Sequence, residues 1–201
     1  MITIDSEVLN HYWRTVGDEQ DTNKIRSNKH FDLLTDFLQK NIPHESKPED
    51  YITCRYRKQK KWDLHFPYIE FALEYKTLPA KSIGNNVNMR LEEALGASSD
   101  LKSKHPHYKL GYIAVFTVGQ NINQKRLTKQ VESFIDAFDR VIEDGHYDAF
   151  LPLQTMGIDN HFELSEKYSV NSFIDKITNS VDQKGKLFTK NTLTEFFHDL
   201  V

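Results

Sequence analysis

Asp63, Glu74 and Lys76 are the residues of this 201-residue chain whose types and spacing could carry chemistry. Apolar Ile69, Phe71, Leu73 and Tyr75 alternate with Glu70, Ala72, Glu74 and Lys76, a period of two that predicts a strand. Residues two apart on a strand share a face, so Glu74 and Lys76 project side by side while Phe71, Leu73 and Tyr75 turn to the core. Asp63 falls on a short preceding strand, Trp62–Phe66, which Pro67 turns back toward Glu74. A hairpin of this kind can bring its carboxylate beside Glu74 and Lys76. Two carboxylates and an ammonium at one strand end make a divalent-metal site with an adjacent cation. Such hard oxygen ligands suit Mg²⁺, which keeps waters and bridges to substrate phosphate. Glu-x-Lys is also the ordinary composition of a solvated strand face, and the pattern alone leaves that reading open.

The stretch that follows is more specific. Ser82-Ile83-Gly84-Asn85-Asn86-Val87-Asn88-Met89-Arg90-Leu91-Glu92-Glu93-Ala94-Leu95-Gly96 is a Gly-Asn-Asn turn opening a helix. Together with the Glu-x-Lys strand, it resembles the XhoI family of type II restriction endonucleases, in the PD-(D/E)xK nuclease superfamily. A looser likeness, through Arg26–Asp32 upstream and Asp144-Gly145-His146-Tyr147-Asp148-Ala149 downstream, extends it from the mid-twenties to the helix near Phe173.

The resemblance implies one nuclease domain over residues 1–201, an α/β fold with a restriction-endonuclease-like core: a central mixed β-sheet flanked by helices. It implies Mg²⁺-dependent hydrolysis of double-stranded DNA at a specific, palindromic site resembling CTCGAG. Asp63 and Glu74 would hold the metal, with the Tyr75 backbone carbonyl as a further ligand. Lys76 would orient the attacking water and balance charge at the phosphorus. In-line attack leaves 5′-phosphate and 3′-hydroxyl ends. Glu92 also matches the family block and is a further candidate ligand, against the ordinary reading of a helix-N-terminal acid favoured by the dipole. Asn85, Asn86, Asn88 and Arg90 are side chains that read adenine and guanine edges, although asparagine at a helix start also serves as a cap. Cutting both strands of a palindrome calls for a homodimer. The helix around Val131–Ile142 and the Phe196-Phe197 pair could supply its apolar surface, or could equally be core. A cognate DNA methyltransferase would be the functional partner, and a prokaryotic cytoplasm the compartment. Two other readings stand beside this one: a repair, recombination or phage-defence nuclease selective for DNA structure, and a DNA-binding module with a decayed site. The intact Asp63, Glu74 and Lys76 set speaks against decay.

Composition sets the bounds. At 38% hydrophobic and 27% charged residues the sequence reads as a soluble globular protein. No apolar run approaches the roughly 20 residues of a membrane span, and Met1–Asp5 lacks the basic and apolar parts of a secretion signal. Cys54 is the single cysteine, which excludes an internal disulfide and a thiolate zinc site and fits a reducing compartment. A formal net charge of −3 does not by itself suggest nucleic acid. A metal-dependent nuclease, however, carries acids that its ions neutralise, so distribution matters more. Arg55-Tyr56-Arg57-Lys58-Gln59-Lys60-Lys61-Trp62 is a basic run with interleaved aromatics. Elsewhere it would be a solvated hairpin. Beside a phosphate-cleaving site it reads as a backbone clamp through Arg55, Arg57, Lys60 and Lys61.

The elements that must position these groups follow from periodicity. Ser6 caps a first helix carrying Val8, Leu9, Tyr12 and Trp13, and a second runs from Asn28 to Lys40 and stops at Pro43. Tyr51–Arg57 is β-prone and completes a three-strand meander. Asn86–Lys102 is helical, with Gly96 and Ala97 small where it would cross the sheet closely and Ser98 the one small polar residue in register. Leu110–Val118 is an apolar strand buried on both faces. A long amphipathic helix from Leu127 to Ile142 closes at Asp144-Gly145. Tyr147–Thr155 is a strand that Pro152 places at an edge. Helix near Asn171–Val181, a turn at 182–185 and a capped terminal helix complete the chain. His105-Pro106-His107 lacks a third ligand pattern and reads as loop. His65, sharing Asp63's strand parity, could approach a phosphate or make a structural polar contact.

Overall fold

The computed structural model describes residues 2–16, 29–79, 83–117, 124–163 and 166–178. Helices α1 (Ser6–Val16) and α2 (Asp32–Asn41) precede strands β1 (Lys47–Ile52), β2 (Lys60–Phe66) and β3 (Phe71–Pro79). Then come α3 (Ile83–Lys102), β4 (Lys109–Thr117), α4 (Gln124–Glu143), β5 (Ala149–Gly157) and β6 (Asn160–Glu163), followed by a helix over 170–178, here α5. The fold is α/β: a six-stranded sheet in the order β1-β2-β3-β4-β5-β6 with helices on both faces. The first three strands form an antiparallel meander, β3, β4 and β5 run parallel, and β6 returns antiparallel.

Parallel strands need crossovers, and α3 and α4 supply them. Both bury their apolar stripes in one cluster with Ala72, Tyr112, Ala114 and Phe116. The opposite face carries Phe71, Leu73, Tyr75, Ile113 and Val115 under α1, α2 and α5. With helices on both sides, β3 has no solvated face: Phe71 to Tyr75 are all buried. The alternation that predicts a half-wet strand separates two cores instead. α4's stripe is likewise consumed, since Val131, Phe134, Phe138 and Val141 are buried against the sheet and offer no free dimer surface. Phe196-Phe197, the expected turn at 182–185 and the terminal helix lie outside the described residues.

Several boundaries move for local reasons. Asp5, not Ser6, caps α1: its carboxylate accepts the Glu7 N–H at 3.0 Å. β1 begins earlier than expected, and Arg55–Lys58 are bends rather than strand. Ser98 donates to the His146 carbonyl at 2.6 Å, which explains a polar residue in the α3 stripe. Ala97 is buried in that stripe, but Gly96 faces open space, and a Cβ there would meet nothing. Pro152 is not at a sheet edge, because β6 lies outside β5. β6 pairs only from Leu153 onward, however, so at Pro152 itself β5 has a ladder neighbour on the β4 side alone. Among the described residues no helix is long and apolar enough to cross a membrane.

Gly111 of β4 leaves no room for a side chain. A Cβ there would lie 3.0 Å from Phe71 Cε1, 3.2 Å from Phe173 Cζ and closer still to Leu73 Cδ2. Gly111→Ala is expected to lose about 1–3 kcal/mol to overpacking, read as a lower urea midpoint with unchanged slope.

Candidate active site

β2 and β3 are hydrogen-bonded only through Leu64↔Leu73, His65↔Ala72 and Phe66↔Phe71. Beyond Leu64, β2 stays with β1 while β3 stays with β4, and the two strands part. In the fork, the Tyr75 N–H donates to Asp63 Oδ2 at 2.7 Å, a side chain standing where a ladder carbonyl would be. The N–H and C=O of one strand residue point to the same edge, so the Tyr75 carbonyl faces the fork too. Asp63 also lines a cleft of about 400 Å³ toward α2, with Phe31, Thr35 and Glu49.

Glu74 is buried on the other side of β3. Its Oε1 accepts from Lys76 Nζ at 2.8 Å and from Lys60 Nζ at 3.1 Å. Its Oε2 accepts the Tyr147 hydroxyl at 3.0 Å. Lys76 is thus beside Glu74, as strand parity predicts. Lys60 is not part of an outward clamp: its side chain is 14% exposed, and its ammonium lies 4.2 Å over the Trp62 ring. Tyr112, the β4 partner of Glu74, packs edge-on against Tyr147 at 5.6 Å. Its buried hydroxyl has no hydrogen-bond partner among the described residues.

The two carboxylates respond to their surroundings in opposite directions. Burial by itself would raise Glu74, but the Lys76 and Lys60 ammonium groups, by charge and hydrogen bond, bring it down to about 2. For Asp63 burial wins and pushes the carboxyl above its ordinary value, against the Tyr75 N–H and the Lys76 charge. Burial drives the hydroxyls of Tyr112 and Tyr147 well above the phenol range, and the charge of Glu74 adds to it.

The helix after the site contributes differently from expectation. Asn85 and Asn86 sit in the first turn of α3, and their side chains lie outside the described residues. Asn88 is exposed. Arg90 bonds Glu93 at 2.6 Å, and both charges act on Tyr112, so this pair faces the Glu74 side of the sheet. Glu92 is exposed, and among the described residues no three His, Cys, Asp or Glu converge as a metal-holding group. Of the basic run, Arg55, Arg57 and Lys58 are exposed. The loop is pinned by buried Asp100, which accepts the Tyr56 N–H at 2.6 Å and Arg57 Nε at 3.1 Å. Lys61 pairs with Glu49 at 2.8 Å. His65 makes the structural contact, Nδ1 to Asp50 at 2.7 Å and Nε2 to the Tyr108 hydroxyl at 3.0 Å. His105 holds the Thr53 carbonyl at 3.0 Å.

Sequence reasoning missed Tyr112, Tyr147 and the inward role of Lys60. Tyr147 lies inside the Asp144–Ala149 block that carries part of the resemblance, and Lys60 stands two residues before Trp62 on one strand face. Comparison of the chain with family models, with curated proteins and with solved structures found no match.

Opposite pKa directions give opposite stability effects. Glu74 lies below its ordinary 4.5, so its contribution is present above about pH 4.5 and is lost as pH falls toward 2. Asp63, raised above 3.8, contributes only at acid pH and loses that contribution as pH rises through its folded value. At pH near 7, Glu74→Gln should therefore destabilise by about 3 kcal/mol, leaving two buried ammonium groups short of a counter-charge. Asp63→Asn, which can still accept the Tyr75 N–H, should be neutral or stabilising. Urea melts of the two variants check this; a shared sign would contradict it.

Proposed function

We propose that this chain is a Mg²⁺-dependent deoxyribonuclease with a restriction-endonuclease-like core that cuts double-stranded DNA at a specific site. The observation that carries this reading is the fork. Asp63 caps the Tyr75 N–H where β2 leaves β3, and so places a carboxylate next to a Glu74-x-Lys76 strand. A purely structural hairpin has no need to end its ladder on an aspartate whose ionisation is disfavoured by burial.

The donor set fits Mg²⁺. Asp63 and the Tyr75 carbonyl are hard oxygens facing the fork, and Glu74 lies across β3 where its charge acts on Asp63. The Tyr112 hydroxyl, without a hydrogen-bond partner among the described residues, is a buried donor that a metal's water shell would satisfy. When bound, the ion would polarise the scissile phosphate and lower the pKa of water. Asp63 and Glu74 would hold it. Lys76, 24% exposed and anchored on Glu74, orients the attacking water and offsets charge at the phosphorus. Tyr147 fixes the second Glu74 oxygen, so the carboxylate is held in one orientation. Arg55 and Arg57 grip the DNA backbone from the loop that Asp100 holds, with Lys61 following on β2, and exposed Asn88 on α3 would read bases. A two-fold dimer would present two such sites to a palindrome.

Incubation with supercoiled plasmid and Mg²⁺ tests the reading: discrete fragments with 5′-phosphate ends are expected. Asp63→Ala and Glu74→Ala should abolish cleavage, and Lys76→Ala should lower the rate by about 10²–10³ or more, while plasmid binding persists. Structure-selective nicking in place of discrete fragments would favour a repair-type enzyme, and full cleavage by either carboxylate variant would remove the assignment. For the clamp, Arg55→Ala and Arg57→Ala should each shrink the slope of log affinity against log salt by about one. An unchanged slope would return the loop to an ordinary solvated surface.

A further inference from the structure

Lys60 is the unexplained group of this site. Glu74 Oε1 is already satisfied by Lys76 at 2.8 Å, yet a second ammonium approaches the same oxygen at 3.1 Å. Sharing one acceptor between two lysines gains little hydrogen bonding, and it costs the desolvation of a further buried charge. The Trp62 ring at 4.2 Å recovers part of that cost. In charge terms, Asp63 and Glu74 are balanced by Lys60 and Lys76, and Arg90 and Glu93 balance each other. The set is neutral as it stands. A divalent cation added to it would leave two surplus positive charges in a low-dielectric fork; withdrawal of Lys60 removes one, and an entering phosphate offsets the other.

Withdrawal is open to it. Lys60 begins β2 directly after the exposed loop of Arg55, Arg57 and Lys58, and its four-carbon stem can swing from Glu74 to that surface without moving the strand. We propose that Lys60 is a tethered cation that holds the Glu74 carboxylate in the DNA-free chain and yields it to the metal as DNA arrives, so that metal and DNA bind cooperatively. This rests on the metal-dependent nuclease reading. Its consequence is weak metal affinity without DNA, and a lysine that moves from the carboxylate to a phosphate when the substrate is in place. Linkage then requires each ligand to raise the other's affinity by the same factor.

Isothermal titration of the full chain with Mg²⁺ alone, without DNA, tests this, and cleavage plays no part in it. Lys60→Met keeps the length of the stem and its cover of Trp62 but removes the charge. It should bind Mg²⁺ about tenfold or more tightly than wild type, whereas Lys167→Met, an exposed charge paired with Asp139, should bind as wild type does. In a Trp13→Phe background, Mg²⁺ should change Trp62 fluorescence in the parent and not in Lys60→Met. This second readout needs only a folded parent chain. Equal or weaker binding by Lys60→Met, an equal gain from Lys167→Met, or no Trp62 response at saturating Mg²⁺ would each overturn the proposal while leaving the metal reading in place. Failure of both wild type and Lys60→Met to bind Mg²⁺ would remove the metal reading itself, and this inference with it.

Discussion

A glutamate carboxylate buried inside a three-layer α/β sandwich is the constraint on which the rest of the site depends. Glu74 sits on a central strand with helices over both faces, where an unpaired charge is untenable. Its two oxygens are therefore fully engaged, one by two lysines and the other by the Tyr147 hydroxyl. Those partners come from three separate strands or loops. Lys60 starts β2, Lys76 follows on β3, and Tyr147 precedes β5 in a loop that Ser98 of α3 ties down through the neighbouring His146 carbonyl. The carboxylate thus acts as a hub whose geometry the whole sheet has to get right.

The departure of β2 from β3 is the complementary constraint. A fork in a sheet exposes backbone groups that must find partners. Here Asp63 supplies one of them, at the cost of a carboxylate whose ionised form is disfavoured. The result is two acids, the charge of one acting on the other, with opposed electrostatics: Glu74 is held ionised and Asp63 reluctantly so. Functional sites are where such opposed environments concentrate, since stability alone would select against them.

Much of this was legible in the sequence. The period-two run to Lys76, the helical stripe from Val87 to Leu101, the apolar β4 segment and the long helix ending before Gly145 all appear as strands and helices in the expected order. Alternation could not tell a half-wet strand from one dividing two cores, because Ala72, Glu74 and Lys76 are polar or small for a reason internal to the protein. Nor could a basic run reveal which of its members turns inward. The aromatic ring of Trp62 beneath Lys60 decides that, and burial of Trp62 is a tertiary fact. Pro152 misled because β6 is too short to reach it. His65 shares Asp63's parity in sequence, yet Asp63 lines the α2 cleft while His65 engages Asp50 and Tyr108. The strand turns its faces where it leaves β3, beside a Glu49 in the left-handed region at φ 52°, and no local pattern announces that.

The proposed divalent-metal site lies in the fork between β2 and β3. Anomalous diffraction from crystals of the protein grown with Mn²⁺ tests it most directly, because the ion reports its own position. A peak is expected within bonding distance of Asp63, Glu74 and the Tyr75 carbonyl, with Lys60 drawn away from Glu74. Saturating Mn²⁺ that leaves the fork without a peak and both lysines on Glu74 would contradict it.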